Sequence, residues 1–123
     1  MHSERLLDHF QNPRNPGELP PPAVVVDVTN PACGDMLRLS ARVEDGRIAE
    51  ALFLTRGCTA SIAASSALTE WMTGKTPAEV ATLTAEAIEE AVGGLAPASK
   101  HAAVLCVDAA RQLLRKLSEN RPQ

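Results

Sequence analysis

Apolar residues alternate singly through the middle of this chain and recur at helical spacing through its second half. From Leu37 to Glu44, Leu37, Leu39, Ala41 and Val43 fall on one face, and Arg38, Ser40, Arg42 and Glu44 fall on the other. That is the period of a half-buried strand. Asp45-Gly46 follows, a two-residue hairpin signal, and Arg47 to Arg56 returns as the partner strand. Upstream, Val24 to Val28 is β-branched and strand-like until Asn30-Pro31 stops it. After Gly57 the period changes. Ala60, Ile62, Ala63, Ala64, Ala67, Leu68, Trp71 and Met72 recur at helical spacing, and Gly74 ends the run. Thr76-Pro77-Ala78-Glu79 is a capping box with Pro at the first helical position. It predicts a short helix, and Ala85 to Val92 predicts another before Gly93-Gly94. Pro97 opens a long final helix to about Leu117, followed by a polar tail from Ser118. At the front, Ser3 to Phe10 predicts a short helix, closed by the breakers Asn12-Pro13-Arg14-Asn15-Pro16-Gly17. Leu19 to Ala23 is proline-rich and extended.

Strands followed by helices predict an α+β fold. The expected architecture is a small antiparallel three-stranded sheet with helices packed on one face and a long C-terminal helix. No internal repeat or dividing linker interrupts residues 1–123, which read as a single domain.

Composition narrows the function classes. Apolar residues are 45% of the chain and aromatics only 2%, so the core must be built from Ala, Val, Leu and Ile. Few rings and a formal net charge of -3 argue against a nucleic-acid partner, which calls for stacking surfaces and positive charge. No apolar run reaches membrane-spanning length, and no secretory leader is visible after Met1. The expected compartment is the cytoplasm. There, 3 cysteines far apart in sequence point to metal binding or catalysis rather than to disulfides.

Two of those cysteines sit in glycine-flanked turns, Ala32-Cys33-Gly34-Asp35 and Arg56-Gly57-Cys58-Thr59. Cys58 falls at or just before a helix N-terminus, where unpaired amides and the helix dipole favour a thiolate. Gly34 lets backbone approach a ligand closely. Asp35 is placed to supply an oxygen ligand or to hydrogen-bond one. Taken singly, each cysteine is equally well explained as a small apolar residue at a turn, and Asp35 as a turn cap. His101 lies near the start of the last helix, where its side chain can face both cysteine loops. His2 and His9 have no local context and are expected at the surface. Cys106 falls on the stripe Cys106, Ala109, Ala110, Leu113, Leu117, the expected core face of the final helix.

The chain resembles the U-type iron–sulfur cluster assembly scaffolds, the NifU N-terminal, IscU and SufU group. The matching pieces are His9-Phe10-Gln11-Asn12-Pro13-Arg14-Asn15-Pro16-Gly17, Asn30-Pro31-Ala32-Cys33-Gly34-Asp35, Gly57-Cys58, Ala64-Ser65-Ser66-Ala67-Leu68-Thr69-Glu70 with Gly74-Lys75, and Leu105 to Ala109 around Asp108. They cover nearly the whole chain in the family's order. The resemblance implies a scaffold and carrier, not an enzyme. It would hold a nascent [2Fe–2S] cluster or iron, or zinc in the cluster-free form. A cysteine desulfurase would supply sulfur, and apo iron–sulfur acceptor proteins would receive the cluster.

By position, Cys33, Asp35 and Cys58 match three of the family's site residues, and His101 matches its histidine. Ala102 stands where the family carries a third cysteine. The nearest thiol, Cys106, is one helical turn onward, about 6 Å along the axis. Leu95-Ala96-Pro97-Ala98-Ser99 departs from the proline-rich stretch that IscU-type scaffolds show to a chaperone. The expected site is therefore Cys33, Asp35, Cys58 and His101. Two further readings stay open. One is a zinc-bound sulfur acceptor for a cysteine desulfurase. The other is a thiol hydrolase with Cys58 as nucleophile and His101 as base.

Overall fold

The structure, a computed structural model, describes residues 2–31 and 34–119. Helix α1 (Glu4–Gln11) leads into an extended segment. Strands β1 (Val24–Thr29), β2 (Met36–Glu44) and β3 (Arg47–Arg56) follow, then α2 (Thr59–Met72), α3 (Pro77–Val80), α4 (Ala85–Ala91) and α5 (His101–Glu119). The strands form one antiparallel sheet in the order β1-β2-β3. The expected α+β architecture is present, and its helices line one sheet face. Helix α5 packs on β1 and β2, and α2 packs on β3. Among the described residues, no helix is long and apolar enough to cross a membrane.

The β2–β3 hairpin closes through Asp45 and Gly46, at φ 53° and 76°. Those left-handed values are why Asp-Gly suits this turn. Leu37, Leu39 and Ala41 point into the core as the alternation predicts, but Val43 is 39% exposed. The ladder shifts register between Arg42 and Val43, where Arg42 pairs with Glu50 and Val43 with Ile48. Ala49 is thus an extra residue on β3. The bulge turns Ile48 inward although it precedes the buried Ala51 by an odd number of positions.

Ser40 is also buried, on the face expected to be wet. Its hydroxyl accepts the Leu19 N–H at 3.0 Å, because the proline-rich segment crosses the sheet there. Just upstream, Asn15 to Gly17 bridges the β3 edge at Phe53. Phe53 N–H donates to the Asn15 carbonyl at 3.0 Å, and Gly17 N–H donates to the Phe53 carbonyl at 2.7 Å. This bridge blunts the edge at Phe53.

Helix α2 is buried on nearly every side, as a helix with no polar face must be. Its small residues admit close neighbours, and its polar ones are satisfied in place. Ser65 Oγ donates to the Ser61 carbonyl at 2.7 Å and accepts from Thr55 Oγ1 at 2.7 Å, tying β3 to α2. Thr69 Oγ1 donates to the Ser66 carbonyl at 2.9 Å.

His9 departs from the surface position expected of it: it is only 7% exposed. Its Nδ1 lies 2.8 Å from Ser66 Oγ, which also accepts the Arg14 N–H at 2.8 Å. The ring therefore seats α1 on α2. The long helix also differs from expectation at both ends. Pro97 opens a short 3-10 turn, Pro97–Ser99, and α5 proper begins at His101 and runs to Glu119. A proline turn ahead of the helix sets His101 in its first turn.

Candidate metal centre

Three loops or helix starts meet at one end of the sheet. The β1–β2 connection is closed by Asn30 N–H to the Asp35 carbonyl at 2.9 Å and Gly34 N–H to the Asn30 carbonyl at 2.8 Å. Gly34 sits at φ 75°, a left-handed value that a side chain would oppose. This turn delivers Asp35 just before β2. Cys58 is the N-cap of α2, and its side chain makes no capping hydrogen bond to the helix. Its sulfur is left for the site. His101 is the first residue of α5.

The side chains converge. His101 Nε2 lies 3.3 Å from Asp35 Oδ2 and 3.8 Å from Cys58 Sγ. Cys58 Sγ lies 3.7 Å from Asp35 Oδ2. The ligand atoms of the three residues all fall within 4.8 Å of one another. Usual zinc–ligand lengths imply tetrahedral edges of about 3.3 Å between oxygen and nitrogen and about 3.6 Å from either to sulfur. The three separations fit one ion. Asp35 is buried, His101 half-buried and Cys58 exposed, so the site has a closed floor and an open mouth. Cys33 lies outside the described residues.

The environment of the thiols separates them. Cys106 is fully buried. Burial pushes its thiol up to about 12, and only a hydrogen bond with the Ser65 hydroxyl opposes that shift. It belongs to the core, as the apolar stripe predicts.

Ser61 is the residue that sequence reasoning missed. It is fully buried, its hydroxyl donates to Asp35 Oδ2, and its Oγ lies 3.3 Å from Cys58 Sγ. The available signal was its spacing, one helical turn after Cys58 on the same face. Gly57 also takes part. A Cβ there would lie 2.7 Å from Asp35 Cγ and 2.8 Å from Oδ1.

The hydrolase reading finds little in this geometry. A thiol–imidazole–carboxylate relay places nucleophile and carboxylate on opposite ring nitrogens. Here Cys58 and Asp35 both face the same Nε2, an arrangement that encloses a ligand position instead.

Comparison with known proteins agrees with the chemistry of the donor set. The profile described as the NifU-like N terminal domain matches residues 1–122. The chain is 43% identical over 114 residues to the iron–sulfur cluster assembly scaffold protein IscU 1 of Archaeoglobus fulgidus, covering 93% of this chain and 74% of that protein. It is 42% identical over 118 residues to the scaffold protein IscU of Azotobacter vinelandii, covering 93% and 91% of the two chains. It is 40% identical over 112 residues to IscU of Haemophilus influenzae, covering 88% of each. Among solved structures, a NifU-like N-terminal protein from Brucella abortus superposes with a TM-score of 0.78 at 20% identity, covering 97% of this chain and 95% of that one. That likeness is one of fold.

Proposed function

This chain belongs to the family of NifU-like N-terminal domains, and on that premise we propose that it is an iron–sulfur cluster assembly scaffold built on Cys33, Asp35, Cys58 and His101. The supporting observation is the meeting of Asp35 Oδ2, Cys58 Sγ and His101 Nε2 at ligand separations, from three elements distant in sequence. Cys33, two residues from Asp35, would supply the fourth donor. In this reading residues 1–123 act as one domain.

Iron and sulfide are the cargo. The two thiolates bind soft, sulfur-bridged iron, while the imidazole and carboxylate complete the set. A carboxylate is the hardest of these donors, so Asp35 is the ligand most readily exchanged for incoming sulfur. A cysteine desulfurase supplies that sulfur as persulfide, an external two-electron donor reduces each one to sulfide, and a [2Fe–2S] cluster leaves through the exposed Cys58 side to apo acceptor proteins. The protein works in the cytoplasm in this reading.

A second reading rests on Ala102 and Cys106. With Ala102 in place of a third cysteine and Cys106 shut in the core, the set holds two thiolates, one imidazole and one carboxylate. That mixture suits zinc, and a zinc-bound sulfur acceptor would use it. Iron, zinc and acid-labile sulfide in freshly purified protein test both readings. Iron with sulfide supports the scaffold, stoichiometric zinc without sulfide fits the acceptor or a cluster-free scaffold, and full metal retention in both Cys33→Ala and Cys58→Ala overturns the site.

A further inference from the structure

Asp35 sits in a slot. On one side is the bare backbone of Gly57, where a Cβ would lie within 2.7 Å of the carboxyl carbon. On another is the Ser61 hydroxyl, which donates to Oδ2. That same Oδ2 faces His101 Nε2 at 3.3 Å and Cys58 Sγ at 3.7 Å. Ser61 is itself held firmly. It lies in the first turn of α2, is fully buried, and its carbonyl accepts the Ser65 hydroxyl that Thr55 anchors to β3.

We propose that Ser61 is a positioning residue of the metal site: its hydroxyl fixes the ligand oxygen of Asp35, while Gly57 leaves the carboxylate room to stand there. The proposal rests on Asp35 being a ligand, as set out above. A carboxylate on a short side chain can rotate its oxygens away from an ion, and a hydrogen bond to the coordinating oxygen removes that freedom before binding. Ser61 Oγ also lies 3.3 Å from Cys58 Sγ, but its single proton goes to Asp35 Oδ2, so the carboxylate is the donor it positions. Partners of this kind behind a ligand typically contribute about 10- to 100-fold to metal affinity.

The test is a double-mutant cycle on the full chain, with Ser61→Ala and Asp35→Ala alone and combined. Zinc affinity is read by competition with a chromophoric chelator, and cobalt(II) is the spectroscopic probe. Ser61→Ala should weaken zinc binding by about 10- to 100-fold. It should shift the cobalt ligand-field bands while the thiolate-to-cobalt charge-transfer band remains. In the Asp35→Ala background the same change should cost no more than about twofold, because its target is gone. An equal loss in both backgrounds would mean that Ser61 only supports the helix, and would overturn the positioning role. If Asp35→Ala weakens binding and Ser61→Ala does not, the positioning role alone falls. If Asp35→Ala binds zinc like the wild type with an unchanged cobalt spectrum, Asp35 is no ligand, and the role of Ser61 falls with that assignment.

Discussion

Cys58 Sγ and His101 Nε2 stand 3.8 Å apart although 43 positions separate them in the chain. Each belongs to the start of its helix, Cys58 as the N-cap of α2 and His101 as the first residue of α5. Two helix N-termini thus open on one point. The positive end of the α2 dipole at Cys58 suits an anionic ligand at that point. Sheet topology enforces the meeting: α2 leaves the end of β3 beside the turn that enters β2, and α5 packs across β1 and β2.

His101→Ala should therefore lose metal without losing the fold. The side chain is half-buried at a helix start, and α5 is anchored elsewhere by Ala102, Leu105, Cys106, Ala109 and Leu113. We expect at least about a tenfold fall in zinc affinity, as for loss of one donor from a four-ligand site. The thermal midpoint of the metal-free protein should move little. Both are read on the same sample, by chelator competition and by calorimetry with the metal stripped.

Gly57→Ala should damage both the site and the fold. The added methyl would enter the space of the Asp35 carboxylate, with contacts of 2.7 to 3.0 Å. The carboxylate must then leave its slot or the backbone must shift, at a cost of about 1–3 kcal/mol. Denaturant unfolding of the metal-free protein measures that cost. Zinc affinity should fall alongside, and a variant with wild-type stability and affinity would show that the slot is not tight.

The legible parts of this structure are those encoded locally. Alternation over Leu37 to Ala41, the Asp45-Gly46 turn and the Thr76 capping box each carry their geometry in adjacent residues, and each is present. Cys58 and His101 were findable because both fall at helix starts. Ser61 and His9 were not, since their roles depend on partners 26 and 57 positions away. A serine inside an alanine-rich helix carries no local sign that its hydroxyl meets a carboxylate. Ser40 departed from the alternation for a similar reason, because a distant segment crosses above it.

His9 predicts a pH dependence of stability. Burial is the main cause that pushes its imidazole below the ordinary histidine value, and the Arg14 charge adds to it. The Glu70 and Asp8 carboxylates act against the shift, and Arg5 adds slightly to it. The folded protein therefore binds the proton less readily than the unfolded chain. The His9 contribution is whole above the unfolded value of about 6.5, and it is lost as pH falls through that value towards the folded one. The urea midpoint of metal-free protein should drop between about pH 7 and pH 5. His9→Gln should flatten that part of the profile relative to wild type, a comparison that cancels His2 and His101.

Cys106 predicts selective silence towards thiol reagents. Its side chain is fully buried, and its thiol is pushed up to about 12. At neutral pH it offers neither access nor thiolate, and alkylation requires the thiolate. In the folded metal-free protein, iodoacetamide should modify Cys58, whose side chain is exposed, and leave Cys106 untouched. Cys106 should react only when denaturant opens the core. Cys106→Ala should retain full zinc binding and lose on the order of 1 kcal/mol of stability, the cost of a small buried side chain. Peptide mass mapping after pulsed alkylation, with and without denaturant, reads the first outcome, and chelator competition reads the second. Modification of Cys106 at the rate of Cys58, or loss of zinc from Cys106→Ala, would make it part of the site after all.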